Sequence, residues 1–390
     1  MNMIPVPRII VFTLTLLIAL PLFANTLIVE KKRFVIESYK TEYGATLSNV
    51  QFGYETYGKL NKDKSNAILI PHYFSGTSHV AGKYSEKDTK PGYWDTLVGP
   101  GKAIDTSQFF VIGVDSLTNV NALNERVYTT GPTTINPSTQ KPYGMTFPPL
   151  TTVDLARVQK ALIEQMGITT LFAAIGISGG SVQSMQWAAT YPEAVERIIG
   201  IVPPGLRLAE YAATKMELWT EVIKLDPNWN NGNYYDKQPP IDGLKASLKI
   251  MTVDGMGYRF TRDKLSSKPI DNCNAMNTHC RQNEDQVMQF LEQRVNLRTS
   301  GIDPNSVIAM VDTYQTFDIT DNLKELSAKF LFIICEDDRI FQMSDSLDSI
   351  NKLAEIKKDT EVFVFSSDYG HLGAILDTGK FASKINSFLR

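Results

Sequence analysis

The chain has 390 residues, 43% of them hydrophobic and 21% charged, with a formal net charge of −3. That balance belongs to a globular protein with enough length for one large domain or a domain plus an insertion. No run of lysine or arginine marks a nucleic-acid surface, and the near-neutral charge gives no reason to expect an anionic polymer as partner, so a small molecule is the expected substrate.

In chain order, Arg8 precedes an apolar run from Ile9 to Leu22, with Pro21 near its end and the small Ala24 just after. A positive start, a short apolar core and a small residue read as a secretory signal over 1–24, although Leu22 stands where a small side chain is preferred. The run is short for a bilayer span, so a cleaved signal is expected ahead of a retained anchor. Export would place the protein in a periplasm or outside the cell, with no stable membrane span after cleavage.

Arg33 to Ile36 and Val50 to Tyr57 then alternate apolar and polar residues, the pattern of half-buried antiparallel strands. Ala67 to Ile70 and Phe109 to Val114 are short apolar runs, the first stopped by Pro71. Leu155, Val158, Leu162 and Met166 recur at helical spacing and Gly167 ends the helix. Leu171 to Ile175 reads as a strand, Ser181 to Tyr191 as part of a helix, and Ile198 to Val202 as a further strand. Between Pro204 and Asp318 helical patterns, prolines and Asn-Gly or Asp-Gly turns replace the strand signal. Phe330 to Cys335 and Val362 to Phe365 restore it, and Phe381 to Leu389 is a final amphipathic helix. Alternating strand and helix predicts an α/β fold with a mainly parallel sheet flanked by helices. The core comprises residues 25–203 and 319–390, with a helical cap inserted at 204–318.

An oxidising compartment makes Cys273 and Cys280 a short-loop disulfide candidate. Cys335, inside an apolar run, reads as a small buried hydrophobe. His279 beside Cys280 has no standard ligand spacing and no fourth partner, so no metal is expected.

The stretch Gly176-Ile-Ser-Gly-Gly-Ser181 holds two serines beside glycines, between a strand and a helix. Gly176-Ile-Ser178-Gly-Gly180 fits G-x-S-x-G in the strand-turn-helix setting of a nucleophile elbow, where flanking glycines relieve backbone crowding. Ser178 is then held above the strand ends, and the helix amino terminus supplies the Gly179 N–H as an oxyanion donor. Ser181 lies one turn further on and lacks that geometry. Glu336-Asp337-Asp338 follows one late strand and Gly370-His371 follows another, giving the chain order Ser, acid, His. His371 would take the proton of Ser178, and a carboxylate would fix its tautomer; Asp337 and Asp338 are not separable on this ground. The loop Pro71 to Gly76 follows an early strand, and the N–H of Phe74 is the second oxyanion candidate. No cofactor is required.

Beyond the elbow, Phe52 to Asn61, Gly76 to Gly82, Tyr93-Trp-Asp95, Gly99 to Asp105, Thr130-Gly-Pro132, Lys141 to Gly144, Asp226 to Trp229 and Asp303 to Ser306 together resemble the homoserine O-acetyltransferase family of the α/β-hydrolase superfamily, with its deacetylcephalosporin acetyltransferase relatives. The resemblance implies an α/β-hydrolase fold with a cap, and a homodimer joined through the caps. It selects Ser178 over Ser181 through the spacing to Tyr191-Pro192, and Asp338 over Asp337 because Asp338-Arg-Ile-Phe341 carries the family pattern. It also matches Gly370-His371, and His72-Tyr-Phe-Ser-Gly76 supports Phe74.

The departures concern substrate. Leu372 stands where homoserine-using members carry Asp after the His, Thr220 where they carry Arg, Gly179 where Met is usual, and Asn121 to Arg126 replaces a glycine-rich segment. Without paired charges for an amino acid's two termini, homoserine binding is hard to justify. The first expectation is therefore a serine-dependent enzyme that hydrolyses or transacylates a small ester outside the cytoplasm through an acyl-enzyme. The second is a homoserine O-acetyltransferase using acetyl-CoA, and the third a non-catalytic binding protein on the same fold. Substrate-contacting residues are not assigned.

Overall fold

A computed structural model describes residues 27–265, 282–357 and 359–390. The expected signal at 1–24 and the cysteine pair Cys273 and Cys280 lie outside the described residues. The core is built on an eight-stranded sheet. Its strands are β1 (Lys32–Lys40), β2 (Thr46–Tyr57), β3 (Ala67–Pro71), β4 (Phe110–Val114), β5 (Ala173–Ile177), β6 (Arg197–Ile201), β7 (Lys329–Cys335) and β8 (Thr360–Phe365). They lie in the order β1-β2-β4-β3-β5-β6-β7-β8. Only β2 runs antiparallel to its neighbours; from β4 to β8 every pairing is parallel.

Side chains alternate across a strand, so a strand covered on both faces feeds two cores at once. In β3, Leu69 joins one apolar cluster, with Leu155, Val158 and Leu162 of helix α1 (Thr152–Gln165) and Met185 of α2 (Gly179–Thr190). Its neighbours Ile68 and Ile70 join the other, with Trp94 and Phe381. Helix α1 opens on a reciprocal cap in which Thr151 and Asp154 each bond the other's backbone N–H. The strands exceed the apolar runs at several ends: β1 continues to Lys40 and β2 begins at Thr46.

Among the described residues four longer helices separate β6 from β7: α3 (Glu210–Lys224), α4 (Ile241–Gly255), α5 (Gln282–Thr299) and α6 (Pro304–Gln315). Here the Asp-Pro pairs act as helix starts, with Asp as N-cap and Pro at the first position, where no N–H is needed. Asp303 accepts from Ser306 N at 2.8 Å and from the Tyr234 hydroxyl at 2.6 Å. Asp226 accepts from Asn228 N and from Gly243 N, both at 2.9 Å, tying the start of α4 to the end of α3. An isolated bridge between Arg207 and Asp318 closes the base of the helical segment. The chain ends with α7 (Met343–Ile356) before β8 and α8 (Ala382–Leu389) after it.

Candidate active site

The turns that follow β3, β5, β7 and β8 meet at the carboxyl edge of the sheet, where residues of each line one cavity together with Met216, Trp219 and Met251 of the helices inserted between β6 and β7. Ser178 sits between β5 and α2 with φ 51° and ψ −120°, a conformation costly for a residue bearing a Cβ. The flanking glycines make it possible. A Cβ on Gly176 would come within 2.1 Å of the Gly180 backbone, and one on Gly180 within 2.3 Å of the Pro71 carbonyl. Ser178 lines a cavity of about 360 Å³. Ser181 does not: it is fully buried, and its hydroxyl donates to the Ser178 carbonyl at 2.5 Å.

His371 lies in the turn after β8, and its Nδ1 is 2.6 Å from Asp338 Oδ2. A carboxylate oxygen accepts from Nδ1–H, and in that tautomer of the neutral ring Nε2 is the acceptor. The other oxygen of Asp338 accepts from the N–H groups of Ile340 at 2.8 Å and Phe341 at 3.0 Å, which fixes the carboxylate. Asp337 is used elsewhere. It accepts from the Ser366 hydroxyl at 2.7 Å and Ser367 N at 3.0 Å, and pairs with Arg259 at 3.4 Å. His371 and Ser178 line the same cavity.

The loop after β3 is held from below by His72. Ser116 N donates to His72 Nε2 at 3.1 Å, so Nε2 is the acceptor and Nδ1 must carry the proton it donates to the Tyr73 carbonyl at 2.6 Å. Burial holds this imidazole below its ordinary pKa, hence neutral. The preceding Asp115 is anchored to Lys31 at 2.7 Å and accepts from Ser78 N at 2.7 Å. Asn121, in the segment that replaces the glycine-rich stretch, donates to the carbonyls of Ser75 and Gly76, each at 3.1 Å. Phe74 and Gly179 both line the cavity, with the Phe74 ring 5.6 Å from that of Trp219.

Sequence reasoning did not single out the cap residues of the wall, among them Met216, Trp219, Met251 and Tyr314. Their only signal was apolar or aromatic character inside the helical segment. Leu372, Arg294 and Arg298 are all part of the wall, and no carboxylate lines the cavity among the described residues. Thr220 is not part of it: it is fully buried, with its hydroxyl on the Glu217 carbonyl at 2.9 Å. Among the described residues no cluster of metal-ligating side chains occurs, and no helix is long and apolar enough to cross a membrane.

Residues 120–378 match the family model described as alpha/beta hydrolase fold. The homoserine O-acetyltransferase of Methanococcoides burtonii is 35% identical over 357 residues, covering 90% of this chain and 71% of that one. The chain belongs to the homoserine O-acetyltransferase family. Among solved structures, esterase E22 shares 39% identity at a TM-score of 0.86, covering 93% of this chain and 100% of that one. The homoserine O-acetyltransferase from Bacillus anthracis shares 35% at 0.84, covering 93% of this chain and 98% of that one.

As a member of this family the protein is an acyl-transfer enzyme of the α/β-hydrolase fold. The names of its relatives weigh toward the second expected function, acetyl transfer to homoserine, more than toward the ester hydrolysis expected first.

Proposed function

We propose that the enzyme works through an acyl-enzyme on Ser178, with His371 as general base and Asp338 as its orienting carboxylate. The observation that carries this reading is the His371–Asp338 contact of 2.6 Å, which engages Nδ1 with the carboxylate and turns Nε2 away from it, in a ring that lines the cavity of Ser178. Ser178 Oγ attacks the acyl carbonyl while its proton passes to Nε2. The oxyanion meets the N–H groups of Phe74 and Gly179. Collapse expels the alcohol or thiol, which takes the proton from His371. The acceptor then repeats the sequence in reverse, giving up its proton to Nε2 as it attacks the acyl carbonyl. A positioned general base contributes about 10²–10⁴-fold and one oxyanion donor about 10²–10³-fold.

For the acceptor, homoserine with acetyl-CoA as donor is the reading the relatives' names support best. One observation favours a second reading, hydrolysis of a small ester: Leu372 and other apolar groups stand in the wall, and no carboxylate lines the cavity to pair with a substrate ammonium. The likeness to esterase E22 supports the same alternative. Product partition decides between them. Purified enzyme with acetyl-CoA and homoserine gives O-acetylhomoserine well above free acetate on the first reading. If acetate dominates, and a simple acetyl ester is cleaved at a rate that homoserine does not alter, the second holds.

We also propose export, on the strength of Arg8 and the apolar run to Leu22. Amino-terminal sequencing of the protein from fractionated cells tests it; a chain recovered in the cytoplasm with Met1 intact overturns it.

A further inference from the structure

Trp187 begins a one-way chain of hydrogen bonds. Its indole N–H can only donate, and it donates to Gln159 Oε1 at 2.7 Å. The Gln159 amide is thereby oriented, so its Nε2 donates to Gln183 Oε1 at 2.7 Å. Gln183 in turn donates from Nε2 to the Tyr314 hydroxyl oxygen at 2.9 Å. Reversing either amide would leave donors facing donors in a fully buried layer: Trp187 is 0% exposed, Gln159 and Gln183 each 1%, and Tyr314 3%. The polarity is therefore fixed from the indole outward. Because an amide nitrogen cannot accept, the Tyr314 proton cannot return to Gln183. No described residue receives it, and Tyr314 lines the cavity.

The hydroxyl stands at the oxyanion end of that cavity. A Cβ on Gly179 would lie 2.7 Å from Tyr314 Oη, so the phenol occupies the space into which a side chain at 179 would grow. The Tyr314 ring is also 6.0 Å from the ring of Phe74. Glycine where the family usually carries methionine thus has a physical counterpart, a hydroxyl held against the start of α2. We propose that Tyr314 donates this proton to the oxyanion of the tetrahedral intermediate, as a third donor beside the N–H groups of Phe74 and Gly179. Burial raises the pKa of the phenol, which keeps its proton in place at any working pH. The assignment rests on the acyl-enzyme reading above.

The test is Tyr314→Phe, which keeps the ring and removes only the hydroxyl. With a simple acetyl ester as substrate, kcat falls about 10²- to 10³-fold, the scale of a single oxyanion donor, while KM stays within about threefold. Phenylboronic acid, which takes Ser178 Oγ as its fourth ligand and places a hydroxyl where the oxyanion forms, loses affinity by a matching factor. A tyrosine that merely packed the core would lower the unfolding temperature without changing boronate affinity. The proposal is overturned if kcat/KM stays within twofold of wild type, or if the loss lies in KM with boronate affinity unchanged. Ser178→Ala separates the two levels: retained turnover there sinks the acyl-enzyme reading, whereas abolished turnover with an unaffected Tyr314→Phe sinks only the third donor.

Discussion

The hydroxyl of Ser181 is bound to the carbonyl of Ser178 at 2.5 Å, so the second serine of the elbow is folded back onto the first. A fluorophosphonate probe is therefore expected to label wild type and Ser181→Ala but not Ser178→Ala. Ser181→Ala lowers stability by about 1 kcal/mol for the lost buried hydrogen bond, measurable by urea unfolding. Labelling lost in Ser181→Ala and kept in Ser178→Ala would refute the assignment.

The two neighbouring acids separate in the same way. Asp338→Asn presents an amide to His371 Nδ1 and disturbs its tautomer, with an expected loss of about 10⁴-fold in kcat on a simple ester. Asp337→Asn weakens the contacts to Ser366, Ser367 and Arg259 and should show mainly as a lower unfolding temperature. Equal kinetic losses in the two variants would contradict this division.

Acceptor choice is expected to turn on position 372. Leu372→Asp introduces a carboxylate into the cavity wall, where a substrate ammonium gains a charge-assisted bond. The ratio of O-acetylhomoserine to free acetate should rise by about tenfold or more, a gain of at least about 1.4 kcal/mol in favour of the amino acid. An unchanged ratio would place the amine somewhere other than beside residue 372.

Acid stability carries a defined sign. Burial holds the His72 pKa below its ordinary 6.5, so below that pH the unfolded chain binds a proton that the folded one refuses. Stability is then lost as pH falls from about 6.5 toward the folded value, at up to about 1.4 kcal/mol per pH unit for one proton. Burial pushes the Glu55 carboxyl up, but contacts with His79, Lys31 and Tyr84 outweigh it and hold the group below its ordinary 4.5. Its contribution has the same direction and is lost further down the scale. Urea unfolding from pH 7 to 5 should show a slope that His72→Gln flattens; an identical slope would exclude His72 as its source.

Cys335 is fully buried and donates to the Gly370 carbonyl at 3.4 Å, and burial pushes its thiol up to about 12. A disulfide reagent should leave it unmodified in native protein and modify it in denaturant. Rapid native modification would indicate an opening of β7 that the packing does not allow.

Much of this fold is legible because its strands are buried on both faces. Continuous apolar runs such as Ile198 to Val202 and Phe330 to Cys335 stand out between amphipathic helices, and both correspond to strands. The turns after β3, β5, β7 and β8 carry the residues singled out from sequence, since a strand end marks where the chain can expose a polar group. Tyr314 and Trp219 were not legible. Each reaches the cavity through the way α3 and α6 lie across the sheet edge, and helix-on-helix placement leaves no periodic trace in a sequence. The role of His72 was equally hidden, because a histidine in a loop reads the same whether it titrates in solvent or is locked as a neutral clip. Asp337 and Asp338 differ only in which way a turn points them, and that is decided by partners far along the chain.

Strands β6 and β7 pair residue for residue, from Arg197 opposite Lys329 to Ile201 opposite Ile333, although the whole cap is threaded between them. The cap thus enters and leaves the sheet without breaking a single rung of that ladder. Groups that line the cavity, on the inserted helices and in the turn at Leu372, can be exchanged over evolutionary time while the sheet goes on presenting the same serine. Drift between transferring an acyl group and releasing it to water would then need few steps, none of them through an unfolded ancestor.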